Sequence, residues 1–104
     1  ELPDERNFEE ARAKLDSVYW KVDYVITHTC STRMLSPTLY PAPGWNYPDV
    51  DRLTTFFDEL EDRLDYKHWY YGHFHRDANP AERYTVLFDC IVRLGDELQP
   101  WDVA

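Results

Sequence analysis

The chain has 104 residues, of which 43% are hydrophobic and 16% aromatic, so it is long enough for one small domain with a packed core and too short for two. Its formal net charge of -9, from 20 acidic and 11 basic residues, argues against nucleic-acid binding, which depends on Lys and Arg that neutralise phosphates. No apolar stretch reaches the roughly 20 residues that span a bilayer, and no signal peptide is visible. We therefore expect a cytoplasmic protein without membrane partners and a single domain over residues 1–104.

The two cysteines, Cys30 and Cys90, have no metal-knuckle spacing and are too few for a disulfide framework. We expect both to be reduced thiols, with Cys90 buried because it lies in an apolar run. Position 1 is Glu rather than Met. We therefore expect the chain to have been trimmed from a longer protein, either naturally or deliberately.

Two segments have the spacing of amphipathic helices. In residues 7–18, apolar side chains recur at helical spacing, and Asn7 followed by Glu10 resembles a capping box. In residues 49–64 the apolar stripe is more regular, and Asp49 and Asp51 suit the start of a helix. The stripe predicts a helix packed on the core; its members are Val50, Leu53, Phe57, Leu60 and Leu64.

Three segments have strand character: residues 22–27, 67–72 and 83–94. The first two are joined by the second helix, so we expect them to be parallel with a right-handed crossover. The third follows a shorter link with a turn at Asn79-Pro80, and we expect it to be antiparallel. The residues from 29 to 48 are rich in proline and aromatics, and we expect a packed loop without helix or strand.

Histidines follow both of the predicted parallel strands. VITH ends at His28, and WYYGHFH contains His73 and His75. Because ligands bind beyond the carboxyl ends of parallel strands, we expect His28 and His73 to approach each other. In an extended backbone His73 and His75 would point to one side, with Gly72 allowing a bend or a close approach. Imidazole ligands favour Zn, Mn, Fe or Ni over Mg or Ca.

Other residues near these histidines have simpler interpretations. His68 fits no ligand pattern, and we expect a structural role for it. Asp77 is either a partner for an imidazole or, more simply, a solvated carboxylate in a turn. Each histidine taken alone is also more often a surface residue than a ligand, so the metal hypothesis rests on the combination of VITH with GHFH.

The segments VDYVITH, LDYKHWYYGHFH and RYTVLFDCIVRL together resemble the C-terminal half of a calcineurin-like metallophosphoesterase, over about residues 20–94. The resemblance implies an α/β fold: a fragment, about half, of a four-layer αββα sandwich, with a small mixed sheet and two main helices. It also implies that His28 and His73 bind one metal and His75 the other, in a centre of two divalent ions (Mn, Fe, Zn or Ni). Such a centre hydrolyses phosphate mono- or diesters.

The sequence also departs from that family. The N-terminal motifs D-x-H, G-D-x-x-D and G-N-H-D/E, which supply the bridging aspartate and other ligands, do not occur in it. We therefore expect the chain to be inactive alone, to need the missing N-terminal half of the enzyme, and to contribute no catalytic residue beyond its metal ligands. An apolar sheet face and unpaired strand edges would then favour a homo-oligomer or strand exchange. The loop at 37–48 would border the site and help select the phosphate ester.

Two alternatives remain open at the level of sequence. One is a non-catalytic domain in which His28, His73 and His75 bind a single structural or regulatory metal. The other is a protein-interaction domain whose contact surface is the aromatic loop, with the histidines incidental. The loop residues concerned are Tyr40, Pro41, Pro43, Trp45 and Tyr47.

Overall fold

The computed structural model describes residues 2–39 and 50–102. It is a small mixed α/β domain with one four-stranded sheet, which confirms the predicted class. None of the helices in the described ranges is long and apolar enough to cross a membrane. In chain order the elements are α1 (Glu5–Asp16), β1 (Tyr24–Thr27), a 3-10 helix (Thr32–Met34), α2 (Leu35–Leu39), α3 (Arg52–Arg63), β2 (His68–Tyr71), β3 (Ala78–Ala81) and β4 (Tyr84–Val86).

Helix α1 begins two residues earlier than the sequence pattern predicted. Its N-cap is Asp4, whose carboxylate accepts the N–H of Asn7 at 3.2 Å, while the Asn7 side chain accepts the N–H of Asp4 at 3.0 Å. This reciprocal pair satisfies two N–H groups that the first turn of a helix leaves open. A capping box is present as expected, but Asn7 is its third helical residue rather than its cap.

Helix α3 matches the second predicted helix with shifted ends. Asp51 is its N-cap and exchanges hydrogen bonds with Thr54, and the helix ends at Arg63, with Leu64 as the C-cap. Val50 therefore precedes the helix and is half exposed. Residue 49 lies outside the described ranges. The buried face of α3 carries Phe56, Phe57 and Leu60.

The strand order across the sheet is β1-β2-β4-β3. β1 and β2 are parallel, as predicted from the helix between them. β4 is also parallel to β2, so the antiparallel prediction for this strand was wrong. The reason is β3, which the sequence reading missed: it forms an antiparallel hairpin with β4 and so reverses the chain once more. Asn79 and Pro80 lie in β3 instead of a turn, and β3 is an edge strand, where proline is tolerated.

The third predicted strand, residues 83–94, is much shorter than expected. Regular pairing ends at Val86 in β4. Beyond it, the N–H groups of Phe88, Asp89 and Cys90 turn to the carboxylate of Asp77, at 2.7, 3.1 and 3.1 Å. The carboxylate of Asp77 thus accepts the N–H groups that would otherwise have continued the hydrogen bonding of the sheet. The alternation of apolar and polar residues does not reveal this.

The stretch predicted to lack regular structure contains the 3-10 helix and the short helix α2. Pro37 is the third residue of α2, where a missing N–H removes no helical hydrogen bond. That part of the prediction was wrong. The aromatic section at 40–49, including the proposed contact residues Tyr40, Trp45 and Tyr47, lies outside the described ranges.

The helices cover one face of the sheet with the apolar core. Phe8 of α1 stacks on Phe56 of α3 at 4.5 Å between ring centroids, and Phe57 packs edge-on against Trp69 of β2 at 5.7 Å. Both cysteines are unpaired. The thiol at the centre of the core is Cys30, only 1% exposed, and not Cys90, which is partly exposed.

The other face of the sheet is covered by an irregular segment, residues 94–98, which we call the strap. Tyr70 of β2 bonds through its hydroxyl to the backbone of Gly95 and Asp96. Asn79 of β3 bonds through its amide to the backbone of Leu98. Tyr70 is therefore buried beneath the strap.

Candidate metal centre

The carboxyl ends of β1 and β2 lie side by side. Thr27 pairs with Tyr71 in the last register position, and the N–H of Gly72 then donates to the carbonyl of His28 at 3.1 Å. Gly72 lies close to the backbone on either side of β2. A Cβ added at this position would be 3.6 Å from the Leu87 carbonyl oxygen and 3.8 Å from that of His28. The hydrogen bond between Gly72 and His28 holds together the first residues after β1 and after β2. The side chains that follow the two strands therefore lie at the same edge of the sheet.

His28 and His73 meet at this edge, as the parallel strands predicted. Nε2 of His28 is 3.0 Å from Nδ1 of His73, and the ring centroids are 4.8 Å apart at an angle of 68°. Both side chains are exposed. Two facing ring nitrogens at this distance either share one proton in a hydrogen bond or present two lone pairs to a cation. The pair can therefore supply two ligands to one metal ion.

His75 is placed differently. The backbone has positive φ at His73 (77°) and at His75 (53°), so it is not extended there. The alternation that would put both side chains on one side therefore does not apply. The ring of His75 stacks on Phe88, with centroids 4.7 Å apart and planes within 16°. His75 thus faces the segment after β4, while His73 faces His28.

A small pocket of about 120 Å³ adjoins the His28–His73 pair. Its wall includes Thr29, whose buried hydroxyl has no hydrogen-bond partner among the residues that the structure describes. It also includes Asp51, whose Oδ1 is already bonded to the N–H of Thr54 at the start of α3. Leu2 and Leu53 complete the pocket with apolar surface.

The described residues do not build a complete metal site. Within 2–39 and 50–102, no three His, Cys, Asp or Glu side chains are grouped so that they could hold a metal ion. The pair of imidazoles fits half of a transition-metal site. A two-metal centre needs a bridging carboxylate, and the one described carboxylate in the pocket wall, that of Asp51, already accepts the N–H of Thr54 and does not form a ligand group with the two imidazoles.

Asp77 and His68 both have structural contacts. Burial tends to raise the pKa of Asp77, but hydrogen bonds from Phe88, Cys90 and Asp89 outweigh it, and the pKa is lowered. Asp77 therefore holds the loop after β4 in place through these hydrogen bonds. It is not a solvated turn residue, and these contacts do not make it a partner for an imidazole. His68 is buried and hydrogen-bonded to Thr85 at 2.8 Å, which agrees with the structural role expected for it.

Sequence reasoning missed the two other polar residues of the pocket, Thr29 and Asp51. Thr29 was read only as part of a loop, and Asp51 only as a helix start. Asp51 is more than twenty positions from His28 in the chain, and no motif links the two. The packing of α3 against the 3-10 helix that follows β1 brings them to one pocket.

No protein-family model, curated protein or solved structure matches this chain. The likeness of VITH and GHFH to the metallophosphoesterase motifs therefore stands on those residues alone. The function proposed below accordingly rests on the geometry of the His28–His73 pair, with the motifs as a guide to its chemistry.

Proposed function

We propose that this domain supplies histidine ligands to a metal-dependent phosphoesterase, as the C-terminal half of its αββα sandwich. The observation that carries the proposal is the 3.0 Å separation of Nε2 of His28 and Nδ1 of His73. Two nitrogens bound to one zinc ion can lie no further apart than twice a bond of about 2.0–2.1 Å. The pair meets that limit, and it lies where parallel sheets bind their ligands.

The donor set indicates which metals suit the pair. Neutral imidazoles favour Zn, Mn, Fe or Ni, and their exposure leaves the remaining coordination positions open. A bound ion of this kind polarises a phosphoryl oxygen and acidifies a water molecule. It would also reverse the local field of a chain with net charge -9, which otherwise repels a phosphate ester.

The remaining ligands are proposed to come from outside the described residues. His75 stacks on Phe88 and is not grouped with the pair in the described residues, so we assign it a lesser part than His28 and His73. The bridging carboxylate would belong to the N-terminal half of the enzyme. We therefore expect no hydrolysis of phosphate esters by the 104-residue chain alone.

A non-catalytic domain that binds one metal is the second candidate. It is favoured by the fact that only a pair of ligands converges in the described part of the chain. In that case a single ion would bridge the ends of β1 and β2 and stabilise the fold by mass action. Tight one-to-one binding by the isolated chain supports this candidate, whereas weak binding supports the phosphoesterase half.

The deciding experiment titrates Co²⁺ and Zn²⁺ into the purified chain, with visible absorption and calorimetry as readouts. We expect His28→Ala and His73→Ala each to abolish binding, and His75→Ala to have a smaller effect. His68→Gln is the matched control, because it removes a histidine that lies outside the pair. Undiminished binding by His28→Ala, or no binding by the wild-type chain even at millimolar metal, would refute the half-site.

A further inference from the structure

The strap is held on the sheet by two side chains. The hydroxyl of Tyr70 accepts the N–H of Gly95 and donates to the carbonyl of Asp96, both at 2.8 Å. The amide of Asn79 donates to the carbonyl of Leu98 at 2.7 Å and accepts its N–H at 3.1 Å. Leu98 is also the buried apolar side chain of the strap. Attachment therefore depends on a few directed hydrogen bonds.

These bonds determine where His68 carries its proton. The Leu98 carbonyl can only accept, so Asn79 turns Nδ2 toward it and Oδ1 toward the hydroxyl of Thr85, 2.8 Å away. Because Oδ1 can only accept, Thr85 donates its single proton to Asn79. Nε2 of His68, 2.8 Å from the same hydroxyl, is then the donor. A neutral His68 thus has its proton on Nε2, at the head of a chain of hydrogen bonds that ends on the strap.

The surroundings of His68 disfavour a second proton. Burial is the main cause that lowers its pKa below the usual 6.5, and the charge of Arg83 acts in the same direction. Glu97, which belongs to the strap, opposes both. The other titratable neighbours are Tyr70, whose ring is 4.5 Å away, and Tyr24, the partner of His68 in β1. No described carboxylate forms a salt bridge with His68 that would stabilise its charged form.

We propose that the strap is an acid-sensitive cover, which lies on the sheet at neutral pH and is released when His68 becomes protonated on Nδ1. A charged ring is better solvated when the strap is off, so the proton favours the released form. Above pH 6.5 His68 is neutral with the strap on or off, so protonation does not weaken the attachment of the strap there. The attachment weakens as the pH falls toward the lowered pKa, by at most about tenfold per pH unit for one proton.

The test is amide hydrogen exchange by NMR between about pH 7.5 and pH 5, across the usual titration of histidine. The reporters are the N–H groups of Gly95 and Leu98, and the control is the N–H of Leu64, which donates to Leu60 at 2.8 Å at the end of α3. After correction for intrinsic rates, protection of the strap should fall while that of α3 stays constant. Constant protection of the strap, or a parallel loss in α3, would overturn the proposal.

Three variants make the test specific. His68→Gln keeps a donor for Thr85 but cannot be charged in this range, so strap protection should lose its pH dependence. Glu97→Gln removes the charge that favours protonation with the strap on, so the acid effect should grow. Tyr70→Phe removes two anchoring bonds and should lower protection at every pH without abolishing the response. If His68→Gln retains the response, or Glu97→Gln weakens it, His68 is not the sensor. These outcomes do not depend on metal binding by His28 and His73.

Discussion

The two faces of the sheet are covered in different ways. On the helical face, aromatic side chains of β2 and β4 pack against α3, with Trp69 at the centre and only 1% exposed. On the other face His68, Tyr70 and Thr85 are buried, and the strap, which has no regular structure, is hydrogen-bonded to Tyr70 and Asn79. Burial of area stabilises the first face, whereas directed hydrogen bonds stabilise the second. We expect substitutions on the first to lower global stability and those on the second to act locally.

The largest expected effect is that of Trp69→Ala. The indole packs against the rings of Phe57, Tyr66 and Tyr84, and its Nε1 donates to Thr27 at 2.8 Å. Truncation of a buried Trp of this kind lowers the free energy of unfolding by about 3–5 kcal/mol. Urea denaturation measures the loss. Trp101→Ala, at a site that is 76% exposed, is the control and should change it by less than about 0.5 kcal/mol.

Asp77→Asn should have the next largest effect. The variant loses the charge that binds the N–H groups of Phe88, Asp89 and Cys90, and we expect a cost of about 1.5–3 kcal/mol at pH 7. The pKa of Asp77 is lowered in the fold, so its contribution is present above its usual value of 3.8 and is lost as the pH falls through the lowered pKa. The gap between the urea midpoints of the two proteins, measured at pH 7, should therefore narrow as the pH is lowered below 3.8. A gap that stays constant down to the lowest pH at which the fold persists would contradict the role of the carboxylate.

Asn79→Ala tests the second face and should have a smaller, local effect. It removes three hydrogen bonds, to Thr85 and to both backbone groups of Leu98. We expect exchange of the Leu98 amide to accelerate by at least about tenfold, which corresponds to 1.4 kcal/mol. Helix α3 should remain protected. If α3 loses protection to the same extent, the two faces are not independent.

Ile26→Lys should have the smallest effect on stability, within about 0.5 kcal/mol. Ile26 lies on the edge strand β1 and is 68% exposed, so it offers apolar surface to another copy. If the chain self-associates through this edge, as we predict, a charge there should reduce the association. Sedimentation at several concentrations measures it. A wild-type protein that stays monomeric at high concentration would refute the prediction.

The sequence predicted the parts of the fold that depend on periodicity. The stripe in α3 and the apolar runs of β1 and β2 were sufficient to place both strands in parallel and to bring His28 beside His73. Prediction from the sequence failed where a single side chain redirects the backbone. Asp77 ends β4 early, and nothing in the alternation of residues 83–94 signals that loss.

The candidate site was predictable only in part, for the same reason. Strand ends follow from periodicity, so His28 and His73 could be paired in advance. The direction of His75 depends on the positive φ of its own residue and of His73, which histidine tolerates but does not require. Asp51 reaches the pocket through the packing of α3, a contact between segments that are distant in the chain.

The position of Pro80 has a consequence for assembly. β3 forms one border of the sheet, and Pro80 removes an N–H from it, so this border is a poor template for another strand. β1 forms the opposite border, and its described residues include no proline. Two copies that join through their β1 strands would leave only β3 strands at the outside of the joint sheet. Growth should therefore stop at a symmetric dimer with eight strands instead of continuing into a fibre.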